Sequence, residues 1–164
     1  MSDVLRAPNG NAMLLTPRSG SHSLALTAMQ AFWPDITVQS DGHPAWYFGV
    51  QEHWLGDNAN VGIIVRNPIE RFRSMVAHRP ERTLEEHLAN PVYGPLPRGS
   101  FVRYFRFEDE LNAAAEWLGL PTPLPQEDAT DPAAKPDLTP EQEARVREIY
   151  AADIGLWESL QPSV

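Results

Sequence analysis

The sequence lacks cysteine entirely and contains a single lysine, Lys135. Without cysteine there can be no disulfide and no thiolate nucleophile, which excludes cysteine proteases and cysteine phosphatases. The one lysine stands outside any G-x-x-x-x-G-K-[ST] pattern, which excludes the usual nucleoside-triphosphate loop. No apolar run approaches the roughly 20 residues that cross a bilayer, so we expect no membrane contact.

The length and composition predict one globular unit. The 164 residues are enough for one compact domain and too few for two ordinary ones, so we expect a single domain over residues 1–164. The apolar fraction of 42% is that of a globular protein. The first six residues lack the charged and apolar regions of a signal peptide, and we therefore expect a cytoplasmic protein.

The charge is distributed unevenly along the chain. Residues 1–65 have a net charge of −3, residues 66–106 of +4 and residues 107–164 of −10. The middle third is therefore the natural place for an anionic ligand. The acidic C-terminal third argues against a long polyanion, so we expect no nucleic-acid partner.

One stretch, 13–24, predicts a strand, a phosphate-holding turn and a helix in succession. Its apolar start breaks into Pro17-Arg-Ser-Gly-Ser21, after which the apolar residues follow helical spacing. The N-terminus of a helix attracts anions through its backbone N–H groups and its dipole, and Arg18 adds a full positive charge. The stretch is not the dinucleotide fingerprint G-x-G-x-x-G, because Gly20 stands between two serines.

A second landmark follows the β-branched run 61–65, which is typical of a buried central strand. Asn67 is a good N-cap and Pro68 suits the first helical position, so a helix is predicted to begin here. Arg66 would then stand at the carboxyl edge of the strand, and Ser74 would lie on the same stripe as Asn67, two turns along the helix. Arg66 and Ser74 could thus converge on one phosphate.

The remaining pattern alternates strands and helices. Such alternation predicts an α/β fold of three layers, with a central, mostly parallel sheet of about four to five strands flanked by helices, and a ligand at its carboxyl edge. In the N-terminal half we expect a loose lead-in at 1–11, strands at 12–16 and 36–38, and an aromatic-rich segment at 45–55 that contains an extended stretch at 50–54. After it we expect a strand at 101–107, a helix that the acidic residues 108–110 open, and a stiff proline-rich surface connector at 121–140. Thr139 and Gln142 form a capping box that begins the closing helix, which should pack on the sheet through Val146, Ile149, Tyr150, Trp157 and Leu160.

Several motifs together resemble the sulfotransferase family. Pro17–Ser21 is similar to its 5′-phosphosulfate loop, and Val65–Met75 is similar to its 3′-phosphate motif, an R-[ND]-P turn with serine eight residues after the arginine. Tyr104–Glu110 resembles the R-[YF]-E-D-L junction, and Ala115–Pro121 resembles the F-L-G-L-P that ends the following helix. Glu148–Asp153 is similar to the final helix of the family. The order of the motifs is also that of the family, which has a P-loop NTPase-like fold.

The resemblance implies a sulfotransferase that takes a sulfuryl group from 3′-phosphoadenosine 5′-phosphosulfate and gives it to a hydroxyl or amine of a small acceptor. Arg18 would contact the phosphosulfate, where many members have lysine. His22 takes a position that is usually threonine, and Ser23 takes one where cytosolic members have an adenine-stacking tryptophan. The chain is short for the family, so an abbreviated acceptor pocket and one completed in a homo-oligomer both stay open. The donor-binding residues that the resemblance implies are Arg18, Ser19, Gly20, Ser21, His22, Ser23, Arg66 and Ser74.

The catalytic base is expected on the segment between the first helix and the Arg66 strand. His53 is the first choice, because cytosolic members carry their histidine base there, and Glu52 and His43 are the alternatives. Together with Arg18 they complete the predicted catalytic set. His43 and His53 show no ligand spacing, and a carboxylate that could hold magnesium is missing after Val65, so no metal is expected.

Two other functions fit parts of the pattern. A non-catalytic relative would bind the donor or adenosine 3′,5′-bisphosphate without acceptor chemistry, which the short length favours. A small-molecule kinase is the weaker alternative, because it would need bound magnesium.

Overall fold

A five-stranded sheet covered by helices forms the centre of the protein. The computed structural model describes residues 3–16, 18–32, 50–51, 57–88, 99–126 and 130–162. The strands lie side by side in the order β3-β1-β2-β4-β5. In chain order they are β1 (Asp3–Arg6), β2 (Asn11–Leu15), β3 (Val50–Gln51), β4 (Asn60–Val65) and β5 (Phe101–Arg106).

Six α-helices and one 3₁₀ turn lie in the described ranges. None of these helices is both long enough and apolar enough to span a bilayer. The helices are α1 (Ser21–Phe32), α2 (Pro68–His78), α3 (Leu84–Leu88), α4 (Leu111–Trp117), α5 (Pro140–Ile149) and α6 (Ala151–Ser159), and the 3₁₀ turn is Pro132–Ala134.

The strand directions bring the functional loops to one edge. β2 pairs with β4 and β4 pairs with β5, both in parallel. The pairings of β1 with β2 and with β3 are antiparallel. Because β2, β4 and β5 are neighbours and run the same way, the segments that follow them emerge at the same edge of the sheet.

Helices cover both faces of the sheet. On one face, Leu24 of α1 and Ala114 of α4 share a buried cluster with Met13 and Ile64 of the sheet. On the other face, Trp157 of α6 packs against a second cluster of strand residues. The α/β class, with a mostly parallel sheet flanked by helices, is therefore confirmed.

The expectation of a loose lead-in at 1–11 is wrong. Residues 3–6 form β1, which pairs antiparallel with β2 through a turn closed by the hydrogen bond from Ala7 N to Asn11 O (2.8 Å). Val4 and Leu5 are both fully buried, so this pair of apolar residues holds the strand on the sheet. Pro8 and Gly10 mark the hairpin turn, and Gly10 has the positive φ of 91° that such a turn needs.

The closing helix is two helices. Thr139 begins α5 with the predicted capping box, but the backbone leaves helical geometry at Tyr150, with φ −100° and ψ 24°. Val146 and Tyr150 pack against α2 and α3 rather than on the sheet, and only α6 reaches the sheet. Ile149, expected on the buried side, is 44% exposed.

Other expectations concern segments that the structure does not describe or describes in small part. The strand predicted at 36–38 lies outside the described residues, and the segment 45–55 is described only at Val50–Gln51.

The acidic residues 108–110 precede α4, which begins at Leu111, rather than opening its first turn.

Candidate functional site

The turn between β2 and α1 forms one side of the site. Arg18 and Gly20 both have positive φ, 60° and 77°, which reverses the chain sharply between strand and helix. A Cβ at Gly20 would lie 3.0 Å from Leu111 Cδ2, so glycine is favoured there by conformation and by space. The first turn of α1, whose N–H groups have no intrahelical carbonyl partner, therefore begins at the carboxyl edge of the sheet.

The start of α2 forms the second side. Asn67 caps the helix, since its side-chain oxygen accepts hydrogen bonds from Ile69 N (3.0 Å) and Glu70 N (3.3 Å). Pro68 follows at the first helical position. Asn67 N in turn donates to Glu108 Oε1 (3.0 Å), which ties this helix start to the end of β5. The cap that the sequence predicts is thus confirmed, and it fixes the neighbouring Arg66.

Arg66 connects the two sides. Its Nη1 donates to the backbone carbonyl of Arg18 (2.6 Å), 48 residues earlier in the chain. Its guanidinium also lies over the ring of Phe107, 4.3 Å from the centroid, in cation–π contact. The end of β4 thereby holds both the β2–α1 turn and the residue that follows β5.

The charged form of Arg66 is disfavoured by its surroundings. Burial lowers the pKa of Arg66 and the charge of Arg18 lowers it further, against the opposing effects of Glu70 and Glu108. The net direction is downward, so desolvation and the neighbouring cation outweigh the two carboxylates. A bound anion would oppose both effects, because its charge would stabilise the guanidinium, and Arg66 is therefore a candidate anion-binding group.

Arg18, Ser74 and Thr130 form a hydrogen-bonded cluster. Arg18 Nε donates to Ser74 Oγ (3.2 Å), and Arg18 Nη2 donates to Thr130 Oγ1. The hydroxyl oxygens of Ser74 and Thr130 are 2.8 Å apart. Arg18 was expected to hold the phosphosulfate and Ser74 the 3′-phosphate. The two groups of phosphate-binding residues are therefore in direct contact through the side chain of Arg18.

A cavity of about 940 Å³ brings most of the predicted donor-binding residues together. Ser19 is the exception, because it is only 2% exposed and does not line the cavity. Its Oγ is buried without a hydrogen-bond partner in the described part of the protein. The predicted residues that do line the cavity are Arg18, Gly20, Ser21, His22, Ser23, Arg66 and Ser74.

Part of the cavity wall comes from a segment that the sequence does not mark as functional. The segment 121–140 was expected to be a surface connector, but its residues 124–126 and 130–132 line the cavity, and so does Lys135. Phe107 and Leu111, after β5, add apolar side chains to the wall. One local signal was present in Asp131-Pro132, where the Asp131 carboxylate accepts a hydrogen bond from Ala133 N (3.0 Å) and caps the 3₁₀ turn.

The candidate bases are not placed by the structure. His43, Glu52 and His53 lie outside the described residues, so the choice among them stays a prediction. Two described histidines, His22 and His78, line the cavity. Within the described ranges no group of three or more His, Asp or Glu side chains could hold a metal ion.

Comparisons with models of known protein families, with curated proteins and with solved structures find no match to this chain. The evidence for a function therefore lies in the motifs and in the geometry of the cavity.

Proposed function

We propose that the cavity binds 3′-phosphoadenosine 5′-phosphosulfate and that the protein is a sulfotransferase of the P-loop NTPase-like fold, acting on a hydroxyl or amine of a small acceptor. The observation that carries the proposal is the hydrogen bond between Arg66 and the carbonyl of Arg18, both of which line the same cavity. This hydrogen bond joins the phosphosulfate loop to the 3′-phosphate motif, which supports the proposal that both act on one ligand.

The chemistry of the cavity wall fits this donor. Among the described residues of the lining, Arg18, Arg66 and Lys135 supply three cations, and Asp131 supplies one carboxylate. The volume of about 940 Å³ is within the range of small-molecule sites. The apolar patch at Phe107 gives a flat base a surface to pack against. In the proposed complex Arg18 and the first turn of α1 hold the phosphosulfate, and Arg66 with Ser74 holds the 3′-phosphate.

The proposed reaction needs no protein nucleophile. The acceptor oxygen or nitrogen attacks sulfur in line, the bond between sulfur and the 5′-phosphate oxygen breaks, and adenosine 3′,5′-bisphosphate leaves. The guanidinium of Arg18 stabilises the charge that develops on the leaving oxygen. The acceptor proton passes to the base, for which His53 remains the first candidate and Glu52 and His43 the alternatives; this step contributes about 10²–10⁴-fold.

Thermal denaturation with different nucleotides tests the proposal. Adenosine 3′,5′-bisphosphate should raise the Tm without any metal, because it is the donor without its sulfuryl group and keeps both phosphates. If ATP with magnesium raises the Tm and the bisphosphate does not, the result contradicts the proposal and favours a kinase. Transfer of label from ³⁵S-labelled donor to a panel of alcohols, phenols, sugars and amines then measures catalysis. Binding of the bisphosphate with no transfer to any acceptor would favour a non-catalytic binding protein.

A further inference from the structure

The only lysine of the chain faces the proposed donor cavity. Lys135 follows the 3₁₀ turn, and its backbone N–H donates to Pro132 O (3.3 Å). Its side chain is 14% exposed and lines the cavity, although it belongs to a segment rich in acidic residues. The ammonium nitrogen lies 3.6 Å from Glu70 Oε2.

Glu70 interacts with more than one cation. Its Oε1 accepts a hydrogen bond from Arg73 Nη1 at 2.8 Å, and its charge also acts on Arg66. Arg73 has a second carboxylate partner in Asp137, at 3.3 Å. The contact between Glu70 and Lys135 is the looser of the two ion pairs of this carboxylate, and Glu70 keeps Arg73 if Lys135 moves away.

The position of Glu70 on α2 places Lys135 beside the proposed 3′-phosphate group. Glu70 and Ser74 are four residues apart on the helix and therefore share one face. Thr130, on the same wall segment as Lys135, is 2.8 Å from Ser74. A phosphate at Ser74 would thus lie within the region that the Lys135 side chain can sample.

We propose that Lys135 is a ligand-binding cation of this cavity, and that its ammonium exchanges from Glu70 to a phosphate group of the bound ligand. The identification of that group as the 3′-phosphate rests on the proposed function. A purely structural ion pair would instead keep Lys135 on Glu70 whether or not a ligand is bound.

The single lysine allows a direct measurement. Reductive methylation with ¹³C-formaldehyde keeps the charge and labels Lys135 as the only side-chain amine, beside the α-amino group. We expect adenosine 3′,5′-bisphosphate to shift the Lys135 dimethyl signal saturably. Glu70→Gln should shift the same signal without ligand. A Lys135 signal that stays fixed at a ligand concentration that fully raises the Tm would overturn the proposal.

Affinity measurements by calorimetry give the matching test. Lys135→Met should weaken binding of the bisphosphate by about tenfold, because a charge-assisted contact is lost, and Lys135→Arg should restore most of it. Binding of adenosine 5′-phosphosulfate, which has no 3′-phosphate, should change less than threefold in Lys135→Met. Glu70→Gln should tighten bisphosphate binding about two- to fivefold, because the competing carboxylate is gone.

Two variants control for general charge effects. Asp137→Asn removes the other carboxylate partner of Arg73, and Arg147→Met removes a cation on α5 that pairs with Glu143 outside the cavity. Both should bind the bisphosphate within about twofold of the parent protein. Tightening in Asp137→Asn equal to that in Glu70→Gln would contradict a specific exchange at Lys135.

The outcomes separate this inference from the proposed function. If inorganic pyrophosphate moves the Lys135 signal and the bisphosphate does not bind, the sulfotransferase proposal fails and the ligand-binding role of Lys135 stands. If the bisphosphate binds the parent protein and Lys135→Met equally well, the ligand-binding role of Lys135 is refuted and the sulfotransferase proposal stands. If neither anion moves the signal, the role of Lys135 is refuted.

Discussion

Replacement of Arg66 by methionine separates the ligand-binding role of this residue from its structural role. The substitution removes the charge and the hydrogen bond to Arg18 O, and it keeps an unbranched side chain that can pack on Phe107. It also removes the unfavourable burial and the repulsion from Arg18 that lower the pKa of the guanidinium. Because these effects oppose each other, we expect the ligand-free protein to lose no more than about 1 kcal/mol of stability.

The loss of ligand affinity should be much larger. A hydrogen bond to a charged group contributes about 1.5–3 kcal/mol, and a partly buried cation beside a doubly charged phosphate adds to it. We therefore expect Arg66→Met to weaken binding of adenosine 3′,5′-bisphosphate by about 2–4 kcal/mol, or about 30- to 1,000-fold. At a ligand concentration of 100 times the parent Kd, the parent gains about 2.7 kcal/mol and the variant less than about 1 kcal/mol.

The assay is thermal denaturation with and without the bisphosphate, supported by calorimetric titration. For a chain of this size, the parent gain corresponds to a rise in Tm of about 5–11 °C, and the gain of the variant to about 3 °C or less. Arg103→Met is the matched control, because Arg103 also lies over a phenylalanine, 4.8 Å from the Phe105 ring centroid, on an exposed position of β5. Binding by Arg66→Met within threefold of the control would refute the assignment of the cavity.

Three further substitutions test the surrounding framework. Asn67→Ala should cost about 1 kcal/mol in urea unfolding through loss of the N-cap of α2, and an unchanged midpoint would contradict the cap. Gly62→Ala should cost about 1–3 kcal/mol, because the added Cβ would lie 2.7 Å from both Met13 Cε and Trp117 Cζ3, and a neutral result would show that the sheet and α4 are packed less tightly than described. Burial tends to raise the pKa of Glu70, but its arginine and lysine partners outweigh that effect and hold the pKa below its ordinary value of 4.5. The charged form is therefore stabilised by folding, so Glu70→Gln should cost about 0.5 kcal/mol at pH 7. This cost should begin to fall as the pH drops through the ordinary value of 4.5 and should be lost below the lowered pKa of the folded protein; a cost that stays constant on acidification would refute it.

The features predicted well from the sequence are those that depend on neighbours in the chain. Asn67 and Pro68 begin α2, and Thr139 begins α5, because caps use the N–H groups of the next three residues. The buried part of β4 was evident from the β-branched run 61–65, since a strand segment covered on both faces must be apolar throughout. In each case the physical cause lies within one or two turns of chain.

The features that were missed depend on contacts between distant parts of the chain. Thr130 contacts Arg18 across 112 residues and Ser74 across 56 residues. Asp131-Pro132, directly after Thr130, signals a capped turn, but a turn among proline and acidic residues suits a cavity wall and an exposed connector equally well. The strand β1 was missed for a related reason, since Val4 and Leu5 form a strand only when β2 is present to pair with them.

The cluster of Arg18, Ser74 and Thr130 bears on which ligand the cavity selects. A ligand with one phosphate can be held by Arg18 and Ser74 together, because their side chains already meet at 3.2 Å. In the proposed complex the side chain of Arg18 turns to the phosphate at the first turn of α1 and leaves Ser74 and Thr130, which breaks two hydrogen bonds. Only the second phosphate can offset that cost, so the binding energy of a bisphosphate must include a term that a monophosphate lacks. A preference for adenosine 3′,5′-bisphosphate over both of its monophosphates is therefore the property that distinguishes a site for the sulfuryl donor from a general anion site.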